Sequence, residues 1–299
     1  VIKRKLWGDL YEEGEQVPRP DVVIMGIPYD SSACYRKGAA FAPAKLRDLS
    51  RKSSAVTEDG ILLDKLSIMD IGDVEISLDV SHFFDTVRKK AAGSPDDAFL
   101  LSLGGDHSVT IPLIQAFAER DSSDFGLIWL DAHLDLWDVY DNSLYSHACP
   151  MRRALELSNL KADKIVGIGM RCYSPGELQF IAEKGIKMIT AAQCAHQSVE
   201  ETARQAVQRS NGVSRIYLSL DIDMLDPAFA PGTGIPKGGG VSTRFLLDLL
   251  KVLFKNLPIE SADLVEISPP LDFSDITSFA GVGIIFEILG QLQQKKLAK

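Results

Sequence analysis

The chain has 299 residues, 45% hydrophobic and 24% charged, a composition that can bury a large core without disulfides or metal staples. Lys and Arg number 32 against 41 Asp and Glu, a net charge of −9. That balance argues against nucleic acid and anionic membrane as partners, because both are bound through basic patches. Four scattered cysteines without a CxxC pair read as reduced, intracellular thiols.

Residues 1–20 are charged and polar, without the apolar core of a signal peptide. They are expected to be an N-terminal extension of one domain spanning 1–299 in a cytoplasmic protein. Eight short runs follow at 22–27, 66–71, 98–103, 125–130, 164–168, 186–189, 215–220 and 262–267. Most are apolar nearly throughout, as strands buried on both faces of a parallel sheet are. Between them lie helical stretches. Ser174, Pro175 and Glu177 form an N-terminal signature that Gly185 can close, and Ser198 with Glu201 forms a second capping box opening a helix to about Arg209. Residues 243–257 repeat apolar positions at three and four spacing and stop near Pro258. The stretch 276–289 is interrupted by Thr277, Ser278 and Glu287 and reads as too short to cross a bilayer. Alternating strand and helix predicts an α/β fold with a mainly parallel sheet, whose strand order stays open.

Polar residues break the apolar runs at their carboxyl ends: Asp30, Gly104-Gly105-Asp106-His107-Ser108, Asp131-Ala132-His133-Leu134-Asp135, Asp221-Ile222-Asp223 and Glu266. Ligand sites of open α/β sheets lie on that edge. If residues 131–135 are extended, Asp131, His133 and Asp135 point to one side. Asp221 and Asp223 repeat the two-residue spacing, and His107 follows two glycines that permit a tight turn. Two His and four Asp on one edge are too acidic to bury uncompensated, and two divalent cations bridged by one or two Asp would balance them. Oxygen-rich ligation without Cys suits Mn²⁺, Fe²⁺, Ni²⁺ or Mg²⁺ better than structural Zn²⁺. Two such ions acidify a shared water and polarise an electrophile, which points to metal-assisted hydrolysis. His82 and His196 are expected to face solvent.

At these residues the sequence resembles the ureohydrolase family, the arginases, agmatinases and related amidinohydrolases. The matching segments are 104–108, 131–135, Ser146-His147, 219–234 and 265–270, within a likeness running from about residue 26 to 286. The resemblance implies a three-layer α/β/α, arginase-like fold around an eight-stranded sheet. It implies two Mn²⁺ per chain (Ni²⁺ and Fe²⁺ suit the same ligands), one on His107 and Asp135, the other on His133 and Asp223. Asp131 and Asp221 would bridge them, and Asp135 would also serve catalysis. Activated water would attack a guanidinium carbon and release urea and an amine.

A guanidinium stays protonated, so its site wants a buried carboxylate able to accept a forked pair of hydrogen bonds. Glu266 matches the family's carboxylate of that kind. His147 matches the catalytic histidine that hands a proton to the leaving amine. Asp226 is expected to brace the turn before Pro227, Asp106 to orient a ligand, and Cys149 to pack.

Within the resemblance, residues 226–234 and Ser146-His147 with Arg152-Arg153-Ala154 look agmatinase-like. Trp137 and Asp138 stand where arginases hold the substrate's α-carboxylate, and suit a cationic tail. The expected reaction is therefore agmatine to putrescine, a polyamine-forming step. Ala148-Cys149, Ile235 and Lys237-Gly238-Gly239-Gly240 depart from the agmatinase pattern near the pocket entrance. Arginase, guanidinobutyrase or guanidinopropionase, and formimidoylglutamase are the neighbouring activities. A one-zinc deacetylase on a related fold and a catalytically silent metal-binding homologue are the more distant ones. The resemblance implies a trimer or hexamer.

Overall fold

The computed structural model describes residues 5–298. Residues 1–4, part of the expected extension, and residue 299 lie outside the described residues. Eight strands form one sheet: β1 (Val22–Gly26), β2 (Ile68–Asp73), β3 (Phe99–Leu103), β4 (Phe125–Leu130), β5 (Leu160–Met170), β6 (Lys187–Thr190), β7 (Ile216–Asp221) and β8 (Ile259–Val265). All eight expected strands are present, and every pairing is parallel. The order β2-β1-β3-β8-β7-β4-β5-β6 sets β3, β8, β7 and β4 side by side at the centre.

The described helices are α1 (Leu6–Asp9), α2 (Ala42–Ser50), α3 (Val80–Ala92), α4 (Thr110–Arg120), α5 (Pro150–Ala154), α6 (Pro175–Lys184), α7 (Ala191–His196), α8 (Val199–Arg209), α9 (Thr243–Asn256) and α10 (Ile276–Leu297). They cover both faces, which explains the unbroken apolarity of the strands. Val22, Ile24, Leu101 and Ile128 enter a core shared with α2, α8, α9 and α10. Their neighbours Val23, Met25, Leu100 and Leu127 enter a second core with α3, α4, α5 and α6. The three layers follow from this alternation between two apolar faces.

The expected caps hold, with one change. Ser174 and Glu177 exchange both bonds of a capping box at α6, and Gly185 closes that helix at φ 69°. At α8 the Ser198 side chain accepts from Glu201 N, but the Glu201 carboxylate is held by Arg204 at 2.6 and 2.8 Å instead of returning to the cap. Helix α10 is also longer than the apolar stretch suggested. It runs for 22 residues, enough by length and composition to span a bilayer, yet it packs on α2 and α9 and contributes Val282, Ile284, Ile285 and Leu289 to the core.

The segment expected to be an extension is packed against the core in its described part. Leu6, Trp7 and Tyr11 are buried, and Trp7 Nε1 donates to Asp70 Oδ2 at 3.0 Å. Asp70 also receives the Arg47 fork, at 2.8 and 2.9 Å, so one buried carboxylate joins residue 7, α2 and β2. Truncating Trp7→Ala should cost about 3–5 kcal/mol of stability by the cavity it leaves. Chemical denaturation checks this, and an unchanged midpoint would show that the segment is dispensable.

Candidate metal centre

The parallel register brings the acidic residues together. Leu130 pairs with Leu220, and Leu220 with Leu264, so Asp131 and Asp221 follow at the same level on neighbouring strand ends. Leu103 pairs with Leu264 on the other side of β8, and the loop after β3 carries His107 to the same edge.

Beyond the strands the chain does not continue extended, and the ligand spacing works differently from the sequence expectation. Asp131 Oδ1 accepts from His133 N at 2.6 Å, and Asp221 Oδ1 accepts from Asp223 N at 2.7 Å. Each i, i+2 pair is thus folded by an Asx turn, in which the first aspartate caps the backbone that carries the second group. Asp135 then lies at φ 49°, left-handed backbone that few residues other than glycine adopt. The glycine before His107 also acts through space, not through its backbone angles. A Cβ on Gly105 would sit 1.7 Å from the Tyr29 carbonyl oxygen.

The result is two adjoining groups that share Asp131. His107, Asp131 and Asp135 form one, and Asp131, His133 and Asp223 the other, the ligand atoms within each lying within 4.8 Å of one another. His107 Nδ1 is 2.9 Å from Asp135, 3.1 Å from Asp131 and 3.4 Å from Asp221, and His133 Nδ1 is 2.9 Å from Asp223 and 3.6 Å from Asp131. All six expected ligands are therefore gathered at one place. A second acidic group, Glu58, Asp59 and Glu287, lies apart, with Lys251 2.8 Å from Glu58 and 2.6 Å from Asp59 and Arg244 also paired with Glu58.

One atom tests whether the centre fits a cation. His107 Nδ1 is buried and, despite three carboxylate oxygens nearby, makes no hydrogen bond. Its other nitrogen explains why. Nε2 lies 3.0 Å from Ser219 Oγ, whose own proton goes to Asp263 Oδ1 at 2.7 Å. Ser219 must then accept, so Nε2 carries the proton and Nδ1 presents a lone pair to the carboxylates. Tyr217 and Thr110 also donate to Asp263, at 2.6 and 3.0 Å. A lone pair facing three carboxylate oxygens is an arrangement that a divalent cation satisfies.

Burial pulls His107 and His133 down, but the facing carboxylates outweigh it and raise both imidazoles, so the cluster favours positive charge at Nδ1, carried there by a proton or, in its place, by a cation. Burial lifts Asp135 to about 6 and Asp221 well above the usual carboxylate range, since like charges crowd a desolvated edge.

A cavity of about 380 Å³ opens on the cluster, with His107, His133, Asp135, Asp221, Asp223, His147, Glu266 and Trp137 in its wall. Glu266 Oε1 accepts from His107 N at 2.8 Å, and burial followed by the Asp106 charge pushes this carboxyl up to about 8. His147 Nδ1 is 2.7 Å from the Ser32 carbonyl oxygen, and its backbone N donates to Ser32 Oγ at 2.9 Å. Asp106 accepts from Ser32 N at 2.9 Å and from Ser108 N at 3.1 Å, so it steadies the loop behind His147 and caps the turn that begins at His107.

Asp138 departs from its expected role. Arg153 draws it away at 2.5 Å, leaving it exposed and outside the cavity wall, whereas Trp137 stays in the wall with Tyr140 edge-on at 5.6 Å. Asp226 braces its turn as expected, accepting from the backbone of Ala228, Gly239 and Gly240. Cys149 is buried and its thiol is raised by burial, while His82 and His196 are exposed.

Against this geometry, the model of the Arginase family matches residues 20–290. The chain belongs to the arginase family. Among its relatives, the agmatinase of Neisseria meningitidis serogroup C is 37% identical over 277 residues, 90% of this chain and 86% of that protein. The guanidinopropionase of Pseudomonas aeruginosa is 36% identical over 282 residues, covering 90% and 85%. A crystal structure of a hypothetical agmatinase from Burkholderia thailandensis superposes with a TM-score of 0.87 at 29% identity, covering 97% of this chain and 90% of that one.

Three supporting residues of this arginase-family site were given no role by the sequence reading. Ser219 and Asp263 lie inside strands, where only their polarity among apolar neighbours marks them. Arg171 follows β5 and donates Nη2 to the carbonyls of Asp223 (2.7 Å), Leu225 (3.2 Å) and Lys237 (2.7 Å), pinning the loop that carries Asp223. Replacing Ser219→Ala removes the acceptor that fixes the His107 tautomer. It should weaken divalent-metal binding about 10–100-fold, measured by competition with a chelator. Unaltered affinity would remove Ser219 from any part in the centre.

Proposed function

We propose that the chain is an amidinohydrolase that uses two divalent cations, Mn²⁺ first, to convert a guanidino compound to urea and an amine. The observation that carries this reading is the His107 Nδ1 lone pair set among three buried carboxylates beside a cavity lined by Glu266 and His147. His107 and Asp135 would hold one ion and His133 and Asp223 the other, with Asp131 and Asp221 between them. Bound there, the ions would supply an acidified water and polarise the guanidinium carbon.

The rest falls to side chains. Glu266 accepts the guanidinium N–H groups and holds the carbon toward the cluster. His147 keeps its Nδ1 proton on the Ser32 carbonyl, which leaves Nε2 to take up a proton and deliver it to the departing nitrogen. Water adds to the carbon, the C–N bond to the alkyl amine breaks, and urea remains. Family relatives named for agmatine and for guanidinopropionate support the guanidino class. The agmatine reading rests on the agmatinase-like segments 226–234 and 146–154 and on Trp137 and Asp138, and of the last two Trp137 alone lines the cavity. One domain and a trimeric or hexameric cytoplasmic assembly belong to the same reading.

Reconstitution should load about two Mn²⁺ or Ni²⁺ per chain, counted by elemental analysis, and Asp131→Asn should lower that count because Asp131 serves both groups. His147→Asn should lower kcat for urea release by about 10²–10⁴-fold and leave KM nearly unchanged. A chain that binds two metals yet releases urea from no guanidino compound would overturn the proposal.

A further inference from the structure

The cavity wall carries its charge unevenly. Its carboxylates are all engaged: Asp135, Asp221 and Asp223 in the cluster, Glu266 on His107 N, and Glu177 by Leu136 N (3.2 Å), Ser174 N (2.8 Å) and Ser174 Oγ (2.9 Å). Among the described lining residues Arg36 is the one Lys or Arg. Its Nε donates to the Gly234 carbonyl at 3.1 Å and its guanidinium lies 5.1 Å over the Tyr35 ring. Neither terminal nitrogen has a partner among the described residues. Arg36 is exposed at the cavity mouth, anchored through Nε with its terminal nitrogens turned to solvent, a fork that can receive a carboxylate in two parallel hydrogen bonds.

Gly234 connects Arg36 to the reacting end. A Cβ built on it would lie 3.9 Å from Glu266 Oε2, while its carbonyl anchors Arg36. Gly234 thus borders both side chains, and a substrate with its guanidinium on Glu266 and its carboxylate on Arg36 would run past this residue. Trp137 and Tyr140 offer apolar wall for the methylenes. An ammonium placed against Arg36 would meet a like charge with no carboxylate bound to it among the described residues.

We propose that Arg36 determines specificity by binding the carboxylate of a short ω-guanidino acid, so that this substrate class is preferred over a guanidino amine such as agmatine. This rests on the hydrolase reading above and selects among its substrates. Arg36 acts on the substrate's tail and takes no part in the bond broken.

The test uses the Mn²⁺-loaded protein and its Arg36→Met and Arg36→Lys variants on 3-guanidinopropionate, 4-guanidinobutyrate and agmatine, reading urea release and calorimetric binding. The unsubstituted protein should favour the acids by about tenfold or more in kcat/KM. Arg36→Met should raise KM for the acids by about 10–100-fold with kcat nearly constant, and leave KM for agmatine unchanged or lower. Arg36→Lys should recover part of the loss. Urea from agmatine alone, or an equal loss on all three substrates, overturns the role of Arg36 and leaves the hydrolase standing. Acid-selective binding that Arg36→Met abolishes, without urea from any compound, keeps Arg36 and sinks the hydrolase.

Discussion

The structure turns on two carboxylates that the sheet itself forces together. Leu130 and Leu220 are paired in register, so Asp131 and Asp221 must emerge side by side from buried strands with no freedom to separate. Like charges at that distance in a desolvated setting are costly, and much of the surrounding chemistry answers that cost. Two imidazoles turn their Nδ1 atoms toward the carboxylates, and backbone N–H groups of His133 and Asp223 donate to them. What these groups leave uncompensated is the demand for positive charge that two divalent cations would meet.

The same constraint explains which supports are rigid. A lone pair can face the cluster from His107 only if Nε2 keeps the proton, and that depends on Ser219 donating onward to Asp263. Asp263 is buried within β8 and receives three hydroxyl protons, so the relay is closed and has one sense. Arg171 does comparable work on the backbone, gathering carbonyls that would otherwise point at one another beside an acidic site. A histidine held this way is a better ligand than a freely rotating one.

Much of this was legible in the sequence because burial is legible. Strands packed on both faces tolerate little polarity, so the eight apolar runs declared themselves, and His107, Asp131, Asp221 and Glu266 stood out where those runs ended. The reading failed where the cause is spatial. Strand order depends on crossovers that the pattern does not record, and so did the placing of β8 between β3 and β7. Alternation of side chains along an extended strand was the wrong reason for a correct grouping, since Asx turns bring the ligands together. Asp138 was misassigned because the capture of its carboxylate by Arg153, fifteen residues on, has no local signature. Arg36 went unremarked for the same reason: that it lines the cavity without an ion-pair partner among the described residues is a spatial fact.

Backbone strain ties these features to chemistry. Asp135 and Glu266 both sit in left-handed backbone, at φ 49° and 63°, where a residue with a side chain is held only if its surroundings insist. Glu266 is fixed by its N–H on the Gly105 carbonyl at 2.8 Å, and Gly105 is in turn pressed against Tyr29 too closely for any Cβ. The Glu266 carboxylate, proposed to receive the guanidinium, is thus positioned by main chain, through a glycine that also leads to His107. Relaxing that backbone would move Glu266 and the cluster relative to each other, which is the one displacement a reaction on a guanidinium carbon between them cannot tolerate. The strain persists because the Gly105 hydrogen bond and its close packing on Tyr29 hold the backbone beside Glu266 in place.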